Sequence, residues 1–178
     1  MATQLVTERL LLRPVDPERD FERWALTQAN PDTVRYLGYP PMNRLQTWRH
    51  IALVLGHWQI LGYGFFSVED RRTGQWVGRV GHWNPQGWPA PEVGWTIAPD
   101  CLRRGYASEA ARACVDHAFE SLGWSEVSHV ILEGNVASAR VAEKVGATLY
   151  KTVPNTPLLS DQPVWVYRQT REQWQARR

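Results

Sequence analysis

Two periodicities alternate along this chain. Leu10 and Leu12 fall on one side of a pleat and Leu11 and Arg13 on the other, which predicts a first strand from Leu5 to Val15 that ends around Pro14. Pro17 then opens a helix in which Phe21, Trp24, Ala25 and Gln28 recur at helical spacing. A second helix is predicted from Leu45 to about Leu61, with Trp48, Ile51, Ala52, Leu55 and Trp58 on one stripe and Gly62 and Gly64 as its stop. Tyr63 to Asp70 and Gln75 to Trp83 read as a hairpin joined by Arg71-Arg72-Thr73-Gly74. After a Pro- and Gly-rich loop, Glu92 to Ile97 forms a fourth strand, with Val93, Trp95 and Ile97 on one face and Glu92, Gly94 and Thr96 on the other.

The clearest helix starts at Ala107, with apolar residues at 107, 110, 111, 114, 115, 118, 119 and 122 and Gly123 as the stop. Val127 to Leu132 makes a fifth strand. Asn135 stands as the N-cap of a short helix that ends at Lys144, with Gly146 after it. Ala147 to Val153 and Val164 to Thr170 supply the last strands, on either side of a Pro-rich loop. The order β, α, α, β, β, β, α, β, α, β, β predicts an α+β fold, a mixed sheet of about seven strands with helices on both faces. No repeat, linker or low-complexity tract interrupts it, so residues 1–178 are expected to form a single domain.

Composition narrows the function classes. A net charge of +2 and the lack of any Lys/Arg run argue against a nucleic-acid binder. The first residues lack the charged and apolar regions of a signal peptide, and the most apolar stretch, Ile51 to Phe66, is too short and too interrupted to span a bilayer. A cytoplasmic protein without a membrane partner is the expectation. Cys101 and Cys114 are the only cysteines, too few for a disulfide framework; Cys114 lies on an apolar stripe and Cys101 has no evident His partner, so neither reads as a nucleophile. No metal is expected. Most of the ten tryptophans should lie in the core or at its rim, and a few could wall a cleft.

The chemistry concentrates between the fourth strand and the long helix. In Ala98-Pro99-Asp100-Cys101-Leu102-Arg103-Arg104-Gly105-Tyr106-Ala107, a tight turn into a helix leaves the first N–H groups unpaired beside two arginines, a cradle suited to a diphosphate. The turn alone could equally be an ordinary connection with solvated arginines. Its context is more specific: Glu92-Val-Gly-Trp-Thr-Ile-Ala-Pro, then Arg-Arg-Gly-Tyr-Ala-Ser-Glu-Ala, then Glu133-Gly-Asn-Val-Ala-Ser-Ala-Arg-Val-Ala-Glu-Lys-Val-Gly. In this order the three segments resemble the GNAT superfamily of acetyltransferases, over nearly the whole chain. The opening Thr7-Glu8-Arg9-Leu10-Leu11-Leu12-Arg13-Pro14 is similar to its RimJ/RimL-like branch, whose known members acetylate protein N-terminal amines.

The resemblance implies the GNAT fold, with a mostly antiparallel sheet, and transfer of acetyl from acetyl-CoA to an amine. Its pyrophosphate-binding turn falls on Leu102 to Ala107: the usual glycine and small residue are kept at Gly105 and Ala107, whereas Leu102 lacks the customary side chain and Arg103 stands where many members have Gly. Cofactor contacts are implied at Trp95, Thr96, Ile97, Arg103, Arg104, Gly105, Tyr106, Ala107, Ser108, Asn135 and Ser138, the strand Trp95 to Ile97 pairing with the pantetheine arm like an added strand. A backbone N–H near Thr96 or Ile97 would be the oxyanion donor. A homodimer is plausible on family resemblance alone.

Amine acetylation needs a base for the amine and a proton for the departing thiolate. Glu92, heading the fourth strand, could accept the amine proton through water, or could be a solvated strand residue; His82 is an alternative base. Asn135 can cap its helix and contact the cofactor at once. The tyrosine acid common in the family, seven residues after this Asn, is replaced by Ala142, which leaves Ser138 as a candidate donor to the thiolate, or a serine bonded to its own backbone. From Thr33 to Pro91 the only acids are Glu69 and Asp70, against Arg35, Arg44, Arg49, Arg71, Arg72 and Arg79, which disfavours a polycationic acceptor. An α-amine near 8 costs about 1.4 kcal/mol to deprotonate at neutral pH and a lysine near 10.4 roughly 4–5, so a site with one modest base suits a peptide N-terminus or a small neutral or anionic amine. Trp24, Tyr36, Trp58 and Trp83 are the aromatics expected in its cleft. The competing readings are an acyl-CoA-binding sensor or scaffold without turnover and a small-molecule detoxifying acetyltransferase.

Overall fold

The computed structural model describes residues 3–154 and 161–178, so part of the expected Pro-rich loop, 155–160, lies outside the described residues. The expected first strand is two: β1 (Leu5–Val6) and β2 (Leu10–Arg13) pair antiparallel. Thr7 makes the break, its hydroxyl accepting from the Leu10 N–H at 3.0 Å and donating to Glu109 at 2.6 Å, so the chain turns back between them. Helix α1 (Pro17–Ala29) starts on Pro17 behind an Asp16 cap and is followed by the single turn α2 (Pro31–Val34), too short for periodicity to reveal.

Helix α3 (Arg44–Leu61) begins at an Asn43–Gln46 capping box and ends at Gly62, whose φ of 76° stops it. Its buried stripe differs from the expected one. Thr47, Ile51, Val54 and His57 face inward, while Trp48 is 58% exposed and Ala52 is exposed. Apolar residues surround this helix, so hydropathy alone could not choose its inner face.

Strands β3 (Phe65–Asp70), β4 (Trp76–Trp83) and β5 (Glu92–Ile97) form an antiparallel meander. A 3-10 turn (Pro99–Cys101) leads to α4 (Tyr106–Glu120), whose buried Ala110, Ala111, Cys114 and Ala118 are small enough to let the helix lie close on the sheet. Then come β6 (Glu126–Leu132), α5 (Val136–Val145), β7 (Thr148–Val153), β8 (Val164–Thr170) and the short α6 (Arg171–Gln175), which is held by a Thr170–Gln173 capping box and was absent from the sequence expectation. The fold of the described residues is therefore α+β with eight strands, against about seven expected, in the order β1-β2-β3-β4-β5-β6-β8-β7. Every neighbouring pair is antiparallel except β5–β6.

Helices cover both faces. On one, the Arg79 guanidinium carbon lies 5.9 Å from the Trp24 ring of α1; on the other, His82 Nε2 is 2.9 Å from the Cys114 carbonyl of α4. Under α1 a buried ion network ties three elements together: Arg13 binds Asp20 at 2.5 Å and Glu69 at 2.6 Å, and Ser67 donates to Asp20 at 2.5 Å. No helix among the described residues is long and apolar enough to cross a membrane.

Candidate active site

The site exists because β5 and β6 run side by side for one residue pair and then part. Glu92 faces Ser128 in the only parallel register between them, where the Ser128 N–H donates to the Pro91 carbonyl at 2.8 Å. The next donor of β6, the Val130 N–H, goes to Glu92 Oε1 at 3.2 Å instead of to a β5 carbonyl. His129 Nδ1 lies 2.6 Å from the Val93 carbonyl, so Nδ1 carries the proton there, and burial holds this imidazole neutral, its pKa down at about 4. Beyond that point β6 turns away.

The ladder with β4 decides which β5 groups face the gap. The Ala98 N–H donates to the Val77 carbonyl at 2.9 Å, and antiparallel pairing alternates. Glu92, Gly94 and Thr96 therefore turn their N–H and C=O groups to β4, while Trp95 and Ile97 turn theirs to the side that β6 has vacated. Of the two expected oxyanion donors, the Thr96 N–H is thus engaged within the sheet, whereas the Ile97 N–H faces the opening.

A cavity of about 470 Å³ occupies the fork. Glu92, Trp95, Thr96, Asn135 and Ser138 line it from the strands and the start of α5, and Tyr36, Tyr39, His50, Phe65, Trp83 and Trp88 line it from the α1–α3 side. Glu92 is 8% exposed; its Oε2 accepts from the Trp88 indole N–H at 2.7 Å. Burial pushes its carboxyl up to about 7, against the pull of the Val130 and Trp88 donors and of the Arg79 charge. The residue that reads as a solvated strand position on one hypothesis is a buried carboxyl with a pKa near neutrality. Glu92 Oε1 and the Phe65 ring both lie over Gly94, each 3.4 Å from where a Cβ would stand.

Asn135 Oδ1 accepts from the Ser138 N–H at 3.2 Å, which caps α5, and both side chains also line the cavity. The Ser138 hydroxyl has no bond to its own helix among the described residues. Of the expected cleft aromatics, Tyr36 and Trp83 are at the cavity and Trp24 and Trp58 are not. Trp24 is 1% exposed, packed against Trp76 with ring centroids 5.9 Å apart, and the Trp58 indole donates to the Phe65 carbonyl at 2.8 Å. His82 is fully buried on the α4 face with its pKa pushed down to about 3, which removes it as a base at the cavity.

The turn residues occupy a separate stretch of surface from the cavity lining. Gly105, with φ of 80°, is the N-cap of α4, and no side chain caps that end, so its opening N–H groups face outward. Arg103 and Arg104 are exposed beside it. Arg103 has φ of 61°, so it holds the left-handed backbone a glycine would adopt freely. Tyr106 points inward, its hydroxyl donating to Asp70 at 2.6 Å; Ala107 is half-buried and Ser108 buried. An uncapped helix end and an open strand edge together offer what a nucleotide diphosphate with a pantetheine arm requires.

Sequence reasoning missed His50, His129, Trp88 and, above all, Arg79 as cavity residues. Arg79 was legible as a strand residue on the Glu92 face, two steps of the two-residue period from Trp83, but only the pairing of β4 with β5 puts it opposite Thr96.

Residues 9–148 match the family model described as an acetyltransferase (GNAT) domain. The Bacillus subtilis (strain 168) protein YkkB is 33% identical over 156 residues, covering 85% of this chain and 88% of YkkB. The crystal structure of an acetyltransferase from Agrobacterium tumefaciens superposes with a TM-score of 0.83 at 33% identity, covering 96% of both chains. RimL, a ribosomal L7/L12 alpha-N-protein acetyltransferase solved with coenzyme A, has the same fold, with a TM-score of 0.79 at 18% identity over 94% of this chain and 98% of RimL.

Proposed function

The chain belongs to the GNAT family of acetyl-CoA-dependent acetyltransferases, and on that footing we propose that it acetylates a primary amine brought to Glu92 at the fork of β5 and β6. The observation that carries this reading is the meeting, in one cavity, of an opened strand edge and a buried carboxyl whose pKa stands at about 7. Glu92 accepts the amine proton, directly or through one water, with its affinity set near the working pH. The Ile97 N–H stabilises the oxyanion from a fixed position, at no cost in reorganisation. Trp95 to Ile97 hold the pantetheine arm, and the Gly105–Ser108 end of α4 with Arg103 and Arg104 holds the pyrophosphate. Asn135 contacts the cofactor while capping α5, and Ser138 donates to the departing thiolate. Bound acetyl-CoA supplies the activated acetyl group.

The acceptor that fits is an α-amine or a small neutral or anionic amine. Among the described residues Glu92 is the only carboxylate lining the cavity, too little negative charge to draw a polyamine. The RimJ/RimL-like opening sequence and the fold shared with RimL support an N-terminal amine among these. A cytoplasmic setting accords with this chemistry. Thiol release from acetyl-CoA, followed against N-terminal peptides, amino acids, polyamines and aminoglycosides, tests the reading: turnover confined to polyamines or lysine side chains would overturn it. Cofactor binding without turnover of any amine would favour a sensor.

A further inference from the structure

Arg79 is a buried cation with no ion-pair partner in direct contact among the described residues, although its charge reaches the Glu92 carboxyl. It is 7% exposed, its Nε is sealed from solvent with no hydrogen-bond partner, and none of the ion pairs among the described residues involves it. The other deeply buried arginine, Arg13, shows the ordinary solution: two carboxylates at 2.5 and 2.6 Å. Arg79 instead lies over the Phe65 ring, with 4.2 Å from the guanidinium carbon to the centroid, and it lines the cavity. Thr96, its cross-strand partner, also has a buried hydroxyl with no partner. A buried guanidinium left unpaired at the wall of a substrate cavity is a site that waits for an anion.

The cavity's charges are one of each sign. Glu92 and Arg79 are on the same face, Glu92 paired with Trp83 and Arg79 with Thr96, and Gly81 and Gly94 stand opposite each other between them. Neither glycine contributes a side chain, and the Phe65 ring lies over Gly94, so this aromatic ring forms the floor between the two charges. We propose that Arg79 is the specificity residue for the acceptor and that it binds a carboxylate carried by the amine substrate a few bonds from the reacting nitrogen, so that the enzyme's natural acceptors are amino-acid-like zwitterions. This rests on the acetyltransfer reading and deepens it. The amine end goes to Glu92 and the carboxylate end to Arg79, and the Phe65 face holds the guanidinium in place between turnovers. The carboxylate can belong to a free amino acid or to an acidic side chain of a peptide.

The test compares wild type and Arg79→Gln on matched pairs: an amino acid against its primary amide, and a tripeptide with an acidic second residue against its Gln or Asn counterpart. Wild type is expected to favour the carboxylate in one pair by at least about tenfold in kcat/KM, and R79Q to bring that ratio close to one. Preference in the first pair assigns a free amino acid, and in the second a peptide side chain. Equal rates for carboxylate and amide in both pairs, or a preference that survives in R79Q, would overturn the proposal. Should R79Q not fold, phenylglyoxal labelling of the wild type decides. An N-acetyl amino acid must protect Arg79 in the CoA-loaded protein, read by peptide mass spectrometry, and its amide must not. The same labelling separates the two readings: if no amine turns over, the acetyltransfer reading fails while protection of Arg79 still reports on the anion site.

Discussion

Replacing Glu92 by Gln removes a single ionisation and leaves the shape of the side chain, and its effect can be worked from the structure. The carboxyl is held at about 7 against an ordinary 4.5, chiefly by burial. The folded state therefore keeps this proton where the unfolded chain has lost it. Stability from Glu92 is complete below pH 4.5 and lost as the pH rises through 7. At about 1.4 kcal/mol per pH unit the full loss is about 3 kcal/mol, of which about 2.5 falls between pH 5 and 8. E92Q has no such loss, so its unfolding free energy minus that of wild type should climb by about 2.5 kcal/mol across this interval, read from urea melts of the cofactor-free protein. Buried His82 and His129 and half-buried His50, all with lowered pKa, act in the opposite direction: their contribution is present above pH 6.5 and lost as the pH falls. They are common to both proteins and cancel in the difference. An offset independent of pH, about 1–3 kcal/mol unfavourable to E92Q, is expected because a Gln amide can accept from only one of the Val130 and Trp88 donors. In kinetics, loss of a general base costs on the order of 10²- to 10⁴-fold in kcat/KM, and the acidic limb near pH 7 should vanish. Parallel stability curves from pH 5 to 8 would refute the buried-carboxyl argument. A kcat/KM within twofold of wild type would refute the base.

Other substitutions probe the neighbouring parts. Trp88→Phe deletes the indole donor that stabilises ionised Glu92, so the acidic limb of kcat/KM against pH should move upward; an unchanged limb would detach that titration from Glu92. Gly105→Ala forces a Cβ onto a left-handed N-cap and should cost about 1–2 kcal/mol of stability while weakening acetyl-CoA binding roughly tenfold, measured by calorimetry; undiminished affinity would take the pyrophosphate away from this helix end. Arg13→Met leaves Asp20 and Glu69 buried with their shared cation gone and should destabilise by about 3–5 kcal/mol in denaturant melts at pH 7, far beyond any surface arginine.

Short-range rules determined much of this protein. The capping side chains Asp16, Asn43 and Asn135 and the positive-φ glycines at 62 and 146 set where helices start and stop, because the groups involved are neighbours in the chain. The period of two fixed β5, and the small-residue stripe fixed α4 against the sheet. The family resemblance likewise grouped Glu92, Asn135 and Ser138, which line one cavity. What the sequence could not decide are relations between distant segments. The inner face of α3 depends on what packs against it, the split of the first strand on Glu109 lying a hundred residues away, and the loss of Trp24 from the cleft on Trp76. Only the tertiary structure parts β6 from β5, buries Glu92 enough to raise its pKa, and leaves Arg79 without a direct ion pair among the described residues. Burial and pairing of a charge are properties of its surroundings, and those surroundings are assembled from the whole chain.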